Sequence, residues 1–273
     1  MSKNYKLSTV LVVAMLFCLL AMPTVNAQEG GKKWYVGIGT GFTFMNTEGD
    51  MGLNVGSFGP VLAAVDLDPS DFNDLMETGF GLGGYATDGT WMIQYAFGKL
   101  KLGGEPSGSL PAGVGGGTYT TDLFFEITGA QATVGYVAFR SKDMKFSLTP
   151  YTGFRYLKHE LGADLSITQG ATTTSISRGI DNNWTDVLIG GSMSYVLSPK
   201  WTWNINADAG FGGTEGTYSF ASSLSWKALK HLSISPNFKY SAIEALNGEV
   251  GDSDWYLYDA NEFGMGIGIL YHF

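Results

Sequence analysis

The chain has 273 residues, 39 of them glycine, with 14% aromatic and only 15% charged side chains, enough material for one substantial domain. Its hydropathy is nearly neutral, the balance that results when apolar side chains meeting lipid alternate with polar ones meeting an internal cavity. With 16 basic against 25 acidic residues, it lacks the basic footprint that phosphate binding requires, which excludes nucleic acid as a partner.

At the amino end, Lys3 and Lys6 lead an apolar run over residues 7–22, and Val25-Asn26-Ala27 forms a small-residue cleavage site. Residues 1–27 are therefore expected to be a cleaved export signal, and 28–273 a single mature domain. Pro23 and polar flanks interrupt the run before the roughly 20 apolar residues that a retained membrane helix needs. The only cysteine, Cys18, leaves with the signal, and Phe17 is too bulky for a lipoprotein-type site, so no disulfide, thiol nucleophile or thiolate metal site is expected. Loss of Lys3 and Lys6 leaves 14 basic against 25 acidic residues, a formal charge of −11.

Beyond Gln28 no apolar run is long enough for a membrane helix, and a membrane role falls to strands closed into a barrel. Ten strands are predicted, over 34–45, 78–87, 90–102, 118–139, 144–166, 172–197, 201–213, 217–228, 231–243 and 258–273, with eight or twelve as the alternatives. An even count returns both termini to the periplasm. The long connections 46–77, 103–117 and 244–257 then face outward, the first carrying Glu48, Asp50, Asp66, Asp68, Asp71, Asp74 and Glu77. Strands between 118 and 197 exceed the about 9–11 residues that cross a bilayer, and are expected to stand above it as a wall.

Register supports this reading. Asp88-Gly89 reads as a two-residue type I′ turn pairing Thr87 with Thr90 and Ala86 with Trp91, which puts Phe80, Leu82, Ala86, Trp91, Ile93, Tyr95 and Phe97 on one face. A turn over 140–143 pairs Phe139 with Met144 and aligns Phe125, Ile127 and Val137 with Phe146, Leu148, Phe154 and Tyr156. At Ser198-Pro199-Lys200, Leu197 pairs with Trp201, and the outward set becomes Val187, Ile189, Met193, Tyr195, Trp201, Trp203, Ile205 and Phe211. Glu215-Gly216 then turns into Tyr218, Phe220, Leu224 and Trp226, again in phase.

The same parity sends Glu126, Arg155, Asp208, Asn204, Asn206, Lys239, Asn237 and Glu262 inward. A lumen charge network is predicted from Glu126, Arg155, Asp208, Lys239 and Glu262, with Glu126 approaching Arg155 and Lys239 approaching Glu262 diagonally across adjacent strands.

Three motifs compete with plainer explanations. Gly79-Phe80-Gly81-Leu82-Gly83-Gly84 satisfies G-x-G-x-x-G, but a dinucleotide site needs a following helix and a hairpin follows here. Residues 66–77 place oxygen ligands with calcium-loop spacing, yet Asp71 stands where glycine should and Pro69 stiffens the turn. The simpler expectation is a short solvated helix capped by Ser70 or Asp68. Of the three histidines, His231 and His272 fall at the periplasmic end and His159 toward the outer mouth, where it is expected to be a solvated rim residue. No metal site, cofactor or catalytic residue is predicted.

The closing segment Phe263-Gly264-Met265-Gly266-Ile267-Gly268-Ile269-Leu270-Tyr271-His272-Phe273 resembles the last strand of bacterial outer-membrane β-barrel proteins. That resemblance implies an all-β, antiparallel up-and-down transmembrane barrel in the outer membrane of a Gram-negative cell. It also implies contact with outer-membrane lipids and lipopolysaccharide, and a terminal signal, Tyr271 and Phe273, read by the barrel assembly machinery. Trp184-Thr185-Asp186, Gly190, Leu197-Ser198-Pro199-Lys200-Trp201 and Asp208-Ala209-Gly210-Phe211-Gly212-Gly213 are similar to a poorly characterised group of small barrels within that superfamily. The chain departs from omptin-like proteases, because no histidine lies two residues beyond Asp208, and from lipid hydrolases, because no histidine–serine pair occupies an equivalent strand.

The functional expectation is a non-enzymatic, porin-like envelope protein, either a narrow solute channel or a structural barrel whose outer loops meet a small solute or surface ligand. The alternative is an outer-membrane hydrolase, omptin-like or lipid-modifying, with its site at the extracellular mouth around His159. A soluble lipocalin-like barrel is disfavoured by Trp91, Trp201, Trp203, Trp226 and Tyr271 at strand ends, which read as an interfacial girdle.

Overall fold

The computed structural model describes residues 33–54, 59–105, 107–109 and 117–273; the expected signal, 1–27, lies outside them. The described residues form strands β1 (Tyr35–Asn54), β2 (Pro60–Leu67), β3 (Met76–Thr87), β4 (Trp91–Gly104), β5 (Ser107–Ser109), β6 (Thr118–Tyr136) and β7 (Phe139–Arg140). They continue with β8 (Phe146–Gln169), β9 (Thr172–Ser198), β10 (Trp201–Phe211), β11 (Gly216–Leu229), β12 (Leu232–Asn247) and β13 (Tyr256–His272), with one short helix, α1 (Pro69–Leu75). Ten strands, all but β2, β5 and β7, pair antiparallel with sequence neighbours in a ring that β1 closes on β13. Closure pairs the edges that lipid does not tolerate, except along β1 and β3, which are joined only from Tyr35 opposite Thr87 to Thr40 opposite Leu82.

Two tiers are stacked along the axis. In the tier nearer the chain termini, outward positions are large and apolar: Phe44 and Met265, cross-strand partners on β1 and β13, are 57% and 72% exposed. Phe154, Ile189 and Tyr218 are similarly bare. A continuous band of this kind needs a hydrocarbon solvent. Its lower margin is the aromatic girdle, where Trp201 stacks on Trp226 at 6.0 Å and Trp91 meets Tyr136 edge-on at 5.2 Å. β10, with 11 residues, crosses the band and little more, whereas β8 and β9, with 24 and 27, rise far above it.

Above the band the pattern inverts. Outward positions become charged, with ion pairs Lys99–Glu126 (2.6 Å) and Lys158–Asp181 (3.0 Å). Inward positions become apolar: Trp184, Ile243, Ala245, Tyr256, Tyr258 and Ala260 form a buried core, with Met51, Leu53, Phe125, Leu157, Leu161 and Ile180 packed against it. The solvent outside has changed from lipid to water, and the apolar face turns inward accordingly.

This inversion corrects one prediction. β6 keeps a single parity along its length, with Ala132, Val134 and Tyr136 outward, so Phe125 and Ile127 face inward and Glu126 faces out. The predicted pairing of Phe139 with Met144 also fails. Phe139 lies opposite Leu148, Met144 takes φ +59°, and β6 meets β8 with odd residues opposite odd ones, as Gly135 opposite Tyr151.

Elsewhere registers hold or slip by even steps. Thr202 opposite Val196 and Trp203 opposite Tyr195 follow from the predicted Leu197–Trp201 alignment, with a bulge at Trp201 taking up the turn. The β3–β4 hairpin is not type I′, because only Gly89, at φ +82°, has positive φ there. Asp88 Oδ1 instead accepts the amides of Thr90 (2.8 Å) and Trp91 (2.7 Å), and Thr87 pairs with Met92. That slip of two leaves every side chain on its predicted face.

The expected loop 46–77 is largely ordered. β1 runs on to Asn54, pairing with β13 on one side and β2 on the other, and α1 leads into β3. Asp68 caps α1 in a reciprocal capping box with Asp71, so residues 66–77 contain the short helix and not a calcium loop. The Ser70 hydroxyl, then the Asp71 and Ser70 amides, hold the Asp68 carboxyl below its ordinary value.

Candidate functional site

The interior can be built upward from the terminal rim. Tyr85 on β3 reaches across β1 to His272 on β13, with its hydroxyl 3.0 Å from Nδ1, and His272 Nε2 lies 2.7 Å from the Ser233 hydroxyl on β12. Gly37 makes this reach feasible, since a Cβ there would collide with the Tyr85 ring. The three side chains clasp the seam where the first strand meets the last. Ser233 and His272, 39 residues apart along the chain, thus meet across neighbouring strands at the terminal rim and not at the outer mouth. Ser233 is buried, and Nδ1 faces a phenol where a serine hydrolase has a carboxylate or amide. Tyr271 and Phe273 lie on the outside of this rim, 39% and 47% exposed.

At mid-height Arg155 organises the lumen. Its Nη2 is 2.6 Å from Asp208 Oδ1, its Nε and Nη2 both donate to Gln131 Oε1, and its Nη1 donates to Thr217 Oγ1 at 3.1 Å. The Tyr151 hydroxyl donates to the second Asp208 oxygen at 2.9 Å. Gly190 is required here, because a Cβ would fall 2.6 Å from Asp208 Cβ and 2.8 Å from the Tyr151 ring. Of the predicted network, Arg155 and Asp208 are brought together. Glu126 is not, being paired with Lys99 on the outer surface. Glu262 accepts from Tyr258 Oη at 2.9 Å and makes no ion pair with Lys239 among the described residues.

Asp186, only 2% exposed, closes the network from above. It accepts the Gly213 and Thr214 amides at 3.0 and 2.8 Å and the Thr214 and Thr217 hydroxyls at 2.7 and 3.1 Å, pinning residues 212–215 between β10 and β11. The stretch around Trp184 and Asp186 therefore supplies one core aromatic and one loop anchor.

Facing this polar wall is a wall of glycine. Gly81, Gly98 and Gly129 point inward from β3, β4 and β6, and a Cβ on any of them would meet no atom closer than 3.5 Å. β3 passes straight through its G-x-G-x-x-G stretch into the β4 hairpin, and no helix follows. Lys239, inward on β12, is solvent-exposed within this space.

In the upper tier His159 is wholly buried, contrary to the expected solvated rim residue. It sits edge-on to Phe125, Trp184, Tyr256 and Tyr258, with ring centroids 4.6–6.0 Å away. Nδ1 is 2.8 Å from the Tyr256 hydroxyl, and Nε2 has no partner among the described residues. Burial pushes its pKa down to about 3, which keeps the ring neutral. Asn182, directly opposite on β9, also has a buried amide nitrogen without a partner. Histidine so enclosed cannot meet a substrate at the mouth.

Two apolar chambers flank this core. One, of about 420 Å³, is bounded by Met45, Met51, Leu100, Leu102, Phe125 and Tyr258. The other, of about 810 Å³, shares Leu67, Leu102 and Phe125 and opens toward the distal rim. Among the described residues no cluster of three His, Cys, Asp or Glu side chains could hold a metal ion.

No protein-family description matches the chain, and no curated protein does. Solved structures do match in shape. The outer membrane protease OmpT from Escherichia coli superposes with a TM-score of 0.53 at 9% identity, covering 92% of this chain and 100% of that one. The fold is that of a transmembrane β-barrel of the outer-membrane type. The translocator domain of the autotransporter NalP from Neisseria meningitidis, at TM-score 0.48 and 12% identity, covers 97% of this barrel and 98% of its own length. The fold and the exposed apolar band together make this a barrel whose outer wall meets membrane lipid. Identity this low transfers no activity.

Proposed function

We propose that this outer-membrane barrel is a non-enzymatic, narrow passage for small solutes. The glycine wall carries the reading: Gly81, Gly98 and Gly129 face open space opposite the Arg155–Asp208 network, and no backbone contact demands glycine at any of them. Small residues at such positions keep a lumen of ten strands from filling with side chains. The aromatic core around His159 and the charge network constrict it, which suits low, selective flux.

Planar-bilayer recording of the purified barrel tests the proposal. Wild type gives small unitary currents, and Gly98→Phe with Gly129→Phe, which place two rings in the open space, cut them by at least half while the folded form persists. A silent wild-type barrel, or unchanged current in the double variant, sinks the reading. A hydrolase reading would rest on Ser233 and His272, the described serine–histidine contact. Loss of a lipid-hydrolysing activity in Ser233→Ala would establish it in place of the passage.

A further inference from the structure

The wall of the barrel is not uniformly closed. β1 and β3 pair only from Tyr35 opposite Thr87 to Thr40 opposite Leu82, and the Thr40 hydroxyl donates to Gly81 O at 2.6 Å just above. Beyond that point no ladder pair joins residues 41–46 of β1 to residues 76–81 of β3. Each stretch remains paired on its other side, to β13 and to β4. β1 regains a neighbour on the open side only at Thr47, opposite Leu67 of β2, and α1 carries the chain from β2 to the start of β3. The result is a bounded window, roughly 20 Å tall at 3.3 Å per residue, with a strand edge on either side, the paired β1–β3 ladder below and β2 and α1 above.

Its height and lining bear on its use. Phe42 and Phe44 face outward from one edge and Phe80 from the other, 41–57% exposed, while Lys99, opposite Phe80, belongs to the charged collar. The window therefore straddles the upper margin of the lipid-facing band. The chamber of about 420 Å³ includes Met45 of one edge and Leu100. Leu100 lies against Gly79 of the other edge, its Cδ1 3.5 Å from where a Cβ would stand. Strand edges left unpaired beside hydrocarbon are costly and are normally sealed. An unsealed edge with an apolar cavity behind it calls for an occupant of the same polarity as the bilayer interior.

We propose that the window between β1 and β3 is a side portal through which a hydrocarbon chain passes between the bilayer and the apolar chamber behind it. Met45, Met51, Leu100, Leu102, Phe125 and Ile127 offer such a chain no hydrogen bond; of the two carboxylates on the lining, Glu262 is already engaged by Tyr258 and Asp66 is exposed on β2. Volume and lining fall within the range of small-molecule sites. The hydrocarbon could be a lipid acyl tail or a free apolar molecule dissolved in the bilayer. The portal names the class and lateral route of a solute for the proposed passage, and it fails separately from it, because axial current does not require the window.

Photolabelling of the reconstituted barrel decides the matter. Phosphatidylcholine vesicles carry either a lipid with a diazirine near the end of one acyl chain, or a diazirine-bearing decanol partitioned into unlabelled lipid. Adducts on inward Met45, Leu100 and Leu102, besides outward Phe42, Phe44 and Phe80, are expected; the lipid-borne arm identifies an acyl tail and the decanol arm alone a free hydrocarbon. Cys18 is the chain's only cysteine, so Phe44→Cys with Thr78→Cys can be bridged cleanly across the window. The oxidised form should lose at least tenfold of the inward adducts, keep the outward ones on Phe42 and Phe80, and recover on reduction. Gly79→Trp, which sets a ring between the window and Leu100, should give the same loss without a bridge. Adducts confined to outward residues with both probes, or inward adducts that persist in both the bridged and the Gly79→Trp barrels, overturn the portal.

Discussion

Arg155→Ala removes the cation from a network whose carboxylate cannot reach water. The Asp208 side chain is only 4% exposed and would keep just the Tyr151 hydroxyl as partner, while Gln131, Thr217 and Ser219 would each lose a donor. Removing one member of a buried ion pair costs about 3–5 kcal/mol, mostly as desolvation of the charge left behind. Arg155 is itself 18% exposed, so the lower end, about 3 kcal/mol, applies. For a domain of this size that corresponds to a midpoint lowered by about 6–12 °C. The assay is the temperature at which the folded, fast-migrating form converts to the unfolded one on a gel, in neutral detergent. Arg155→Met with Asp208→Leu, which removes both charges, should regain most of the loss, whereas Arg155→Lys should not, because an ammonium cannot reproduce the forked contacts. A single variant melting within about 2 °C of wild type, or a double variant no better than the single, would refute the reasoning.

Acid should destabilise the upper tier through His159. Its folded pKa of about 3 lies below the ordinary 6.5, so the stabilising contribution is complete above about pH 6.5 and is lost at about 1.4 kcal/mol per unit as pH falls toward 3. Wild type should therefore lose about 2 kcal/mol more between pH 7 and 5 than a His159→Phe barrel, and parallel pH–melting curves would contradict this. Tyr85→Phe removes the hydroxyl that meets His272 and should cost about 1 kcal/mol, read as a small drop in melting temperature; no drop would mean the clasp is idle. Asp186→Ala frees residues 212–215 from three hydrogen bonds, so cleavage after Glu215 by a glutamate-specific protease should accelerate in the folded barrel. Unchanged resistance would show that the loop is held by other contacts.

Where lipid is the solvent, the sequence alone determined which face the strands turn outward, except in β6, where Ala132, Val134 and Tyr136 and not the set with Val137 face out. Trp201, Trp203, Tyr195 and Val187 fall outward, and Gly264, Gly266 and Gly268 inward, because period-two alternation against hydrocarbon leaves one arrangement that buries no polar side chain in it. Ten strands followed from the same pattern, and the Asp68 cap of α1 from local hydrogen bonding. Above the band the same alternation has two solutions, since water outside reverses which face is apolar, and no local signal in β6 marks the height at which Phe125 turns in and Glu126 turns out. Only strand length and tilt set that height. Contacts between distant strands were equally hidden: His159 in its aromatic cage, Ser233 beside His272, and the gap between β1 and β3 depend on how the closed cylinder brings together segments that are remote along the chain.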